Sequence, residues 1–104
     1  MSECVVVAII RPKPETFSEV KAVLMDIAAD VHSEEGCELY ALHEGVSGEL
    51  VFVEKWSRRE AWQKHMDGPT VQAIGQRAGQ MFASPPEVYE LYAAPAGTFQ
   101  QGQL

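Results

Sequence analysis

Apolar residues fill nearly every position from Glu3 to Arg11 (ECVVVAIIR), a β-branched run that reads as a strand covered on both faces or central in its sheet. Pro12 and Pro14 stop it. From Glu15 the period changes: Phe17, Val20, Leu24, Ile27 and Val31 follow a 3-4-3-4 spacing, one apolar stripe along a helix. Glu19, Lys21, Asp26 and Asp30 fall on its other side, and Gly36 is the expected stop. Strands are predicted again over Cys37–Glu44 and Glu49–Ser57, joined by a hairpin at Gly45-Val46-Ser47-Gly48. In the second of these, Leu50, Phe52, Glu54 and Trp56 share one face, with Val51, Val53 and Lys55 on the other. Ser57-Arg58-Arg59-Glu60 has the form of a capping box opening a short helix to about Met66. After Asp67-Gly68-Pro69 a further helix turns Val71, Ile74, Ala78 and Met81 inward until Ser84-Pro85-Pro86. Glu87–Ala93 is the last strand.

The order is strand-helix-strand-strand-helix-strand, with the second helix broken in two. It matches a ferredoxin-like βαββαβ α+β fold: one antiparallel sheet with both helices on one face. The first and third strands are too apolar to leave the other face wet, so a second copy of the chain is its simplest cover. Residues 1–94 read as a single domain. Residues 95–104 read as a tail, rich in turn formers and Gln, expected to be disordered or laid on the partner chain.

Composition narrows the function classes. The 104 residues carry 8 Lys+Arg against 15 Asp+Glu, a formal net charge of -7, so a phosphate backbone would be repelled and nucleic-acid binding is not expected. The longest apolar run, Val5–Ile10, is far shorter than the roughly 20 residues of a membrane span. The first residues hold no basic cluster of a secretory signal. Cys4 and Cys37 make neither a disulfide framework nor a CxxC pair, and read as buried thiols in a reducing cytoplasm. His32 and His43 lack a second ligand at metal spacing, so no metal site is expected. No glycine-rich phosphate loop is present, so no nucleotide or flavin cofactor is expected either.

The motifs Glu34-Glu35-Gly36-Cys37 followed by Tyr40, Glu54-Lys55-Trp56, and Ala61-Trp62 followed by His65 occur in the order of a known pattern. Over residues 4–93 the chain resembles the antibiotic biosynthesis monooxygenase family of small dimeric α+β barrel proteins. The resemblance implies that fold, a homodimer through the sheet faces, and oxygenation of a small aromatic such as a quinol or phenol by dioxygen without a cofactor. In the similar polyketide monooxygenases a Trp at the position of Trp56 is implicated in oxygenation. Their strand Asn is Phe52 here, and their helix Tyr is Trp62. Haem degradation, another activity of the superfamily, is not expected, because its first-strand Asn has no counterpart in Val5–Ile10.

Each candidate residue has two readings. His65, with Trp62 three positions earlier on the same helix face, is the candidate base; otherwise it is a surface histidine bonded to nearby backbone. Trp56 and Trp62, with Phe52, are the walls of a substrate pocket, or they fill the core. Tyr40 orients a ligand oxygen or is a cross-strand pair. Glu54 is a pocket carboxylate with a raised pKa, or a structural partner reaching Arg11 or Arg58 across a dimer. Residues 66–70 are expected to form a mobile pocket rim, because Gly68 relaxes the backbone and Pro69 restarts the helix. The alternatives to a monooxygenase are a non-catalytic binding or stress-response module, and an isomerase-like enzyme acting on a small oxidised metabolite.

Overall fold

The structure, a computed structural model, describes residues 3–104. Four strands form one antiparallel sheet: β1 (Cys4–Ile10), β2 (Cys37–Glu44), β3 (Leu50–Trp56) and β4 (Glu87–Leu91), in the spatial order β2-β3-β1-β4. β1 and β3 pair along their whole lengths, Cys4 opposite Trp56 and Ile10 opposite Leu50. Their central position explains why both sequences are so apolar. Helix α1 (Phe17–His32) joins β1 to β2, and α2 (Arg59–Met66) and α3 (Pro69–Ala78) join β3 to β4. This is the ferredoxin-like α+β arrangement that the hydropathy predicts.

The core lies between the sheet and the helices. The predicted stripe is the buried side of α1, with Val20, Leu24, Ile27 and Val31 buried and Phe17 packed at its edge. Beneath it lie Cys4, Val6 and Ile10 of β1 and Leu50, Phe52 and Trp56 of β3. On the opposite face Val5, Val7, Ile9, Val51 and Val53 remain only partly covered, and Tyr89 and Leu91 of β4 are 50% and 42% exposed.

Three expectations are corrected. Ser57 does not cap α2: the helix starts at Arg59, and no side chain bonds its end. Ser57 instead donates its backbone N–H to Gly36 O at 2.8 Å, which holds the end of β3 against the start of β2. α1 begins two residues later than predicted, because Pro14–Thr16 form a 3-10 turn first. The tail is not loose. Phe99–Gly102 form a helical turn, α4, with Thr98 Oγ1 accepting from Gln101 N, and Leu104 O accepts from Lys55 Nζ at 2.9 Å. Lys55 shares the outer sheet face with Val51 and Val53, lies 3.4 Å from Glu3 and 3.9 Å from Glu38, and receives a further acceptor from the tail.

Gly36 has a φ of +80°, and a Cβ there would lie 2.5 Å from Ala61 Cβ and 2.8 Å from Ser57 Oγ. A side chain would add about 1–2 kcal/mol of left-handed backbone strain and about 1–3 kcal/mol of overpacking. Gly36→Ala is therefore expected to destabilise the fold by about 2–5 kcal/mol in urea unfolding. A loss below about 0.5 kcal/mol, the scatter of a neutral surface change, would contradict this account of the turn.

Candidate functional site

Alternation along β3 puts Phe52, Glu54 and Trp56 on the helix face, all three buried. Antiparallel register sets Tyr40 of β2 opposite Glu54. One turn of α2 places Trp62 and His65 on its inward side, both buried. The six candidate residues thus converge on one region under the helices, through two strands and one helix.

Aromatic contacts tie the group together. The Tyr40 ring stacks on Phe52 with centroids 4.2 Å apart, and it meets the His65 ring edge-on at 5.5 Å. The Trp56 ring lies 4.8 Å from His65, tilted by 30°. The reading of His65 as a surface histidine bonded to backbone is thereby overturned. It is 4% exposed, and its Nδ1 lies 2.7 Å from Glu34 Oε1. The other oxygen of Glu34 accepts from Thr70 Oγ1 at 2.6 Å. Glu34 stands in the turn after α1, and Thr70 in the first turn of α3. Sequence reasoning assigned a role to neither, although Glu34 opens the quoted E-x-G-C motif.

A carboxylate can only accept, so the Glu34 contact makes Nδ1 the protonated ring nitrogen of neutral His65. That leaves Nε2 with its lone pair. Nε2 has no hydrogen-bond partner among the described residues. Trp62 Nε1 is fully sealed without a partner, and the Arg59 guanidinium lies 5.6 Å over the Trp62 ring.

Glu54 is 3% exposed, and its Oε1 accepts from Trp56 Nε1 at 2.9 Å. Burial pushes its carboxyl up to about 7; the Trp56 hydrogen bond opposes this, and the Glu34 charge adds to it. Neither arginine weighed as its partner reaches it within the chain, since Arg11 pairs with Glu87 and Arg58 with Glu35. Burial likewise drives the Tyr40 hydroxyl far above its usual value, with Glu54 and Glu34 adding to the effect, so Tyr40 stays a neutral donor. Burial raises both thiols as well, Cys4 and Cys37, which makes them poor nucleophiles. Among the described residues no cluster of three His, Cys, Asp or Glu side chains suits a metal ion, and no helix is long and apolar enough to cross a membrane.

Two surface cavities reach candidate residues. One, of about 190 Å³, is bordered by Glu34, His65, Lys64, Gly68 and Pro69. Of residues 66–70, Gly68 and Pro69 border this cavity. The other, a groove of about 600 Å³ along the edge strand β2, is bordered by His32, Cys37, Tyr40 and Leu42. Phe52, Trp56 and Trp62 line neither cavity. They pack behind His65 and Tyr40.

Comparison with known proteins converges on one family. The family model described as "Antibiotic biosynthesis monooxygenase" matches residues 4–77. A Mycobacterium tuberculosis protein named "Putative monooxygenase Rv0793" is 30% identical over 85 residues, 81% of this chain and 84% of the relative. Its solved structure superposes with a TM-score of 0.81 at 29% identity, covering 94% of this chain and 99% of that one. A Caulobacter crescentus structure, described as a "putative antibiotic biosynthesis monooxygenase", gives 0.82 at 27% identity, covering 89% of this chain and 91% of that one. A Nitrosomonas europaea structure gives 0.83 at 13% identity over 92% of this chain and 95% of that one, a likeness of fold alone.

The raised Glu54 pKa makes stability depend on pH. The folded state holds this proton up to about 7, whereas a solvated glutamate carboxyl, ordinarily 4.5, ionises earlier in the unfolded chain. Glu54 therefore contributes most at low pH, and its contribution is lost as pH rises from the unfolded pKa through the folded one. Between pH 5 and 8 wild type should lose about 2–3 kcal/mol relative to Glu54→Gln, measured by paired urea titrations. Parallel pH profiles for the two proteins would refute a protonated, buried Glu54.

Proposed function

The chain belongs to the antibiotic biosynthesis monooxygenase family, and on that premise we propose that it oxygenates a small aromatic quinol or phenol with dioxygen, using His65 as the base. The observation that carries this reading is the 2.7 Å contact between Glu34 and His65 Nδ1, which fixes the ring and its tautomer. Nε2 is then available to take the proton of a substrate hydroxyl. No cofactor is required by this chemistry, because the phenolate is itself the electron source.

The step balances for a phenol with a free ring C–H. His65 takes the hydroxyl proton, and the electron-rich ring carbon bonds to dioxygen and gives a peroxide anion. That anion is protonated, the ring C–H is lost as a proton, and the O–O bond breaks. One oxygen atom remains on carbon as a quinone carbonyl, and the other leaves as water. The four electrons that reduce dioxygen come from the substrate. Glu54 and Tyr40 do not border the cavity at His65; Glu54 holds Trp56 Nε1 and Tyr40 meets the His65 ring edge-on, so both position the base rather than touch the substrate. Trp56 lies against the His65 ring and Phe52 against that of Tyr40, while Trp62 is buried on the same helix as His65.

The assembly we propose is a homodimer through the open sheet face. Support comes from Val5, Val7, Ile9, Val51 and Val53, which one chain leaves partly uncovered beside exposed Tyr89 and Leu91. Sedimentation equilibrium at micromolar concentration should then give twice the monomer mass of 11.5 kDa. A stable monomer would remove this part of the proposal. For the chemistry, His65→Ala should slow oxygen uptake with hydroquinones by roughly 10²–10⁴-fold while the fold persists by circular dichroism. Uptake that is absent in wild type, or unchanged in the variant, overturns the assignment.

A further inference from the structure

Lys55 follows Val51 and Val53 on the outer face of β3 and stands opposite Val5 of β1. Its ammonium has three N–H donors and meets three oxygens of its own chain. Leu104 O lies at 2.9 Å, a carboxylate oxygen of Glu3 at 3.4 Å and one of Glu38 at 3.9 Å. An exposed lysine gains little from such contacts, because water serves it as well. A lysine that another surface covers loses that water and needs its acceptors from protein. The tail is shaped to deliver one of them. Thr98 Oγ1 accepts from Gln101 N, and Gly102 N donates to Thr98 O at 2.8 Å. A Cβ on Gly102 would collide with Ala96 O, so the chain doubles back on itself as a hook before it reaches Lys55. Leu104 then borders a small cavity with Glu3, Val5 and Tyr92. A hook that only closed off its own chain would turn its apolar side chains inward, yet Phe99 and Leu104 are 76% and 58% exposed.

We propose that the hook of residues 95–104 is part of the surface on which a second copy of this chain docks, where it completes the acceptors of Lys55 and extends the apolar face with Leu104. The inference rests on the homodimer proposed above and assigns the tail a part in it. Charge favours a second copy as the occupant. Two chains of net charge -7 repel each other, and they approach at least cost where no acid stands uncompensated. Residues 91–104 contain no charged side chain, and Glu3 and Glu38 are held by Lys55. Such depletion of charge marks the core of an interface, and it offers a basic partner nothing to pair with.

The dimer dissociation constant, measured by sedimentation equilibrium over a dilution series, tests the hook, with circular dichroism to show that each variant is folded. Gly102→Val opens the hook without removing any group from the sheet. It should weaken the dimer about thirtyfold, because a two-fold assembly counts each change twice. Leu104→Ser keeps the backbone acceptor and should weaken it about tenfold. In a chain already carrying Lys55→Met, Gly102→Val should weaken it by no more than about tenfold, since the Lys55 contact is gone beforehand. Met25→Ser removes an equally exposed apolar side chain, but from α1, and should leave the constant unchanged. A wild-type chain that sediments as a monomer overturns the homodimer reading and this inference with it. A wild-type dimer whose association is indifferent to Gly102→Val and Leu104→Ser overturns the hook alone. So does a dimer that Gly102→Val tightens, which would make the tail a cover to be displaced. An equal loss from Gly102→Val with and without Lys55→Met overturns the part given to Lys55.

Discussion

One carboxylate, that of Glu34, joins three segments that the chain presents separately. Its two oxygens hold His65 of α2 and Thr70 of α3, while its own backbone belongs to the turn between α1 and β2. The turn can present Glu34 there because Gly36 takes a left-handed conformation and leaves room for Ala61 and Ser57. Ser57 N–H bonds back to Gly36 O, so the end of β3, where α2 departs, is tied to the same turn. The orientation of the His65 ring is therefore a property of the whole βα junction and not of α2 alone. A charge-assisted hydrogen bond of this kind is about twice as strong as a neutral one, which suits a contact that must define a single ring orientation.

The second constraint is the cost of Glu54. A carboxyl on the apolar face of a central strand has lost its water, and the one bond from Trp56 Nε1 compensates only part of that loss. A purely structural core would be expected to hold an apolar residue at this point, because replacing a buried charge by a packed side chain is often neutral or stabilising. Glu54 instead keeps a proton that it can release close to neutrality, and it does so in the same aromatic group as a histidine. Two proton-bearing groups of different character thus share one water-poor region.

The elements themselves were legible from periodicity. The 3-4 stripe of α1 and the alternation of β3 gave the buried residues almost one by one, because burial on one face of a sheet forces both patterns. The convergence of Tyr40, Phe52, Glu54, Trp56, Trp62 and His65 was also legible, since strand faces and an i,i+3 helix spacing determine it. What escaped was every feature decided by contacts distant in sequence. Glu34 and His65 are 31 residues apart, and nothing local shows that a turn glutamate will reach a helix two elements later. Ser57 satisfied a capping pattern, yet its backbone was claimed by Gly36 across the sheet. The tail is polar and turn-rich, which reads as loose until Lys55 on a distant strand supplies a donor.

β3 shows how closely fold and chemistry depend on one register. Its odd and even positions serve opposite surfaces: Phe52, Glu54 and Trp56 face the helices, while Val51 and Val53 face away. A slip of one residue would exchange them, burying Lys55 under α2 and placing Glu54 on the apolar outer face. Both faces oppose that slip, one because it would lose the Tyr40–Glu54 and Cys4–Trp56 pairings, the other because its valine row would be broken by Glu54. The apolar outer face thus does more than offer a surface for another chain. It fixes the position of the residues on the inner face, so the register that shields the sheet also sets the distance from Trp56 to His65.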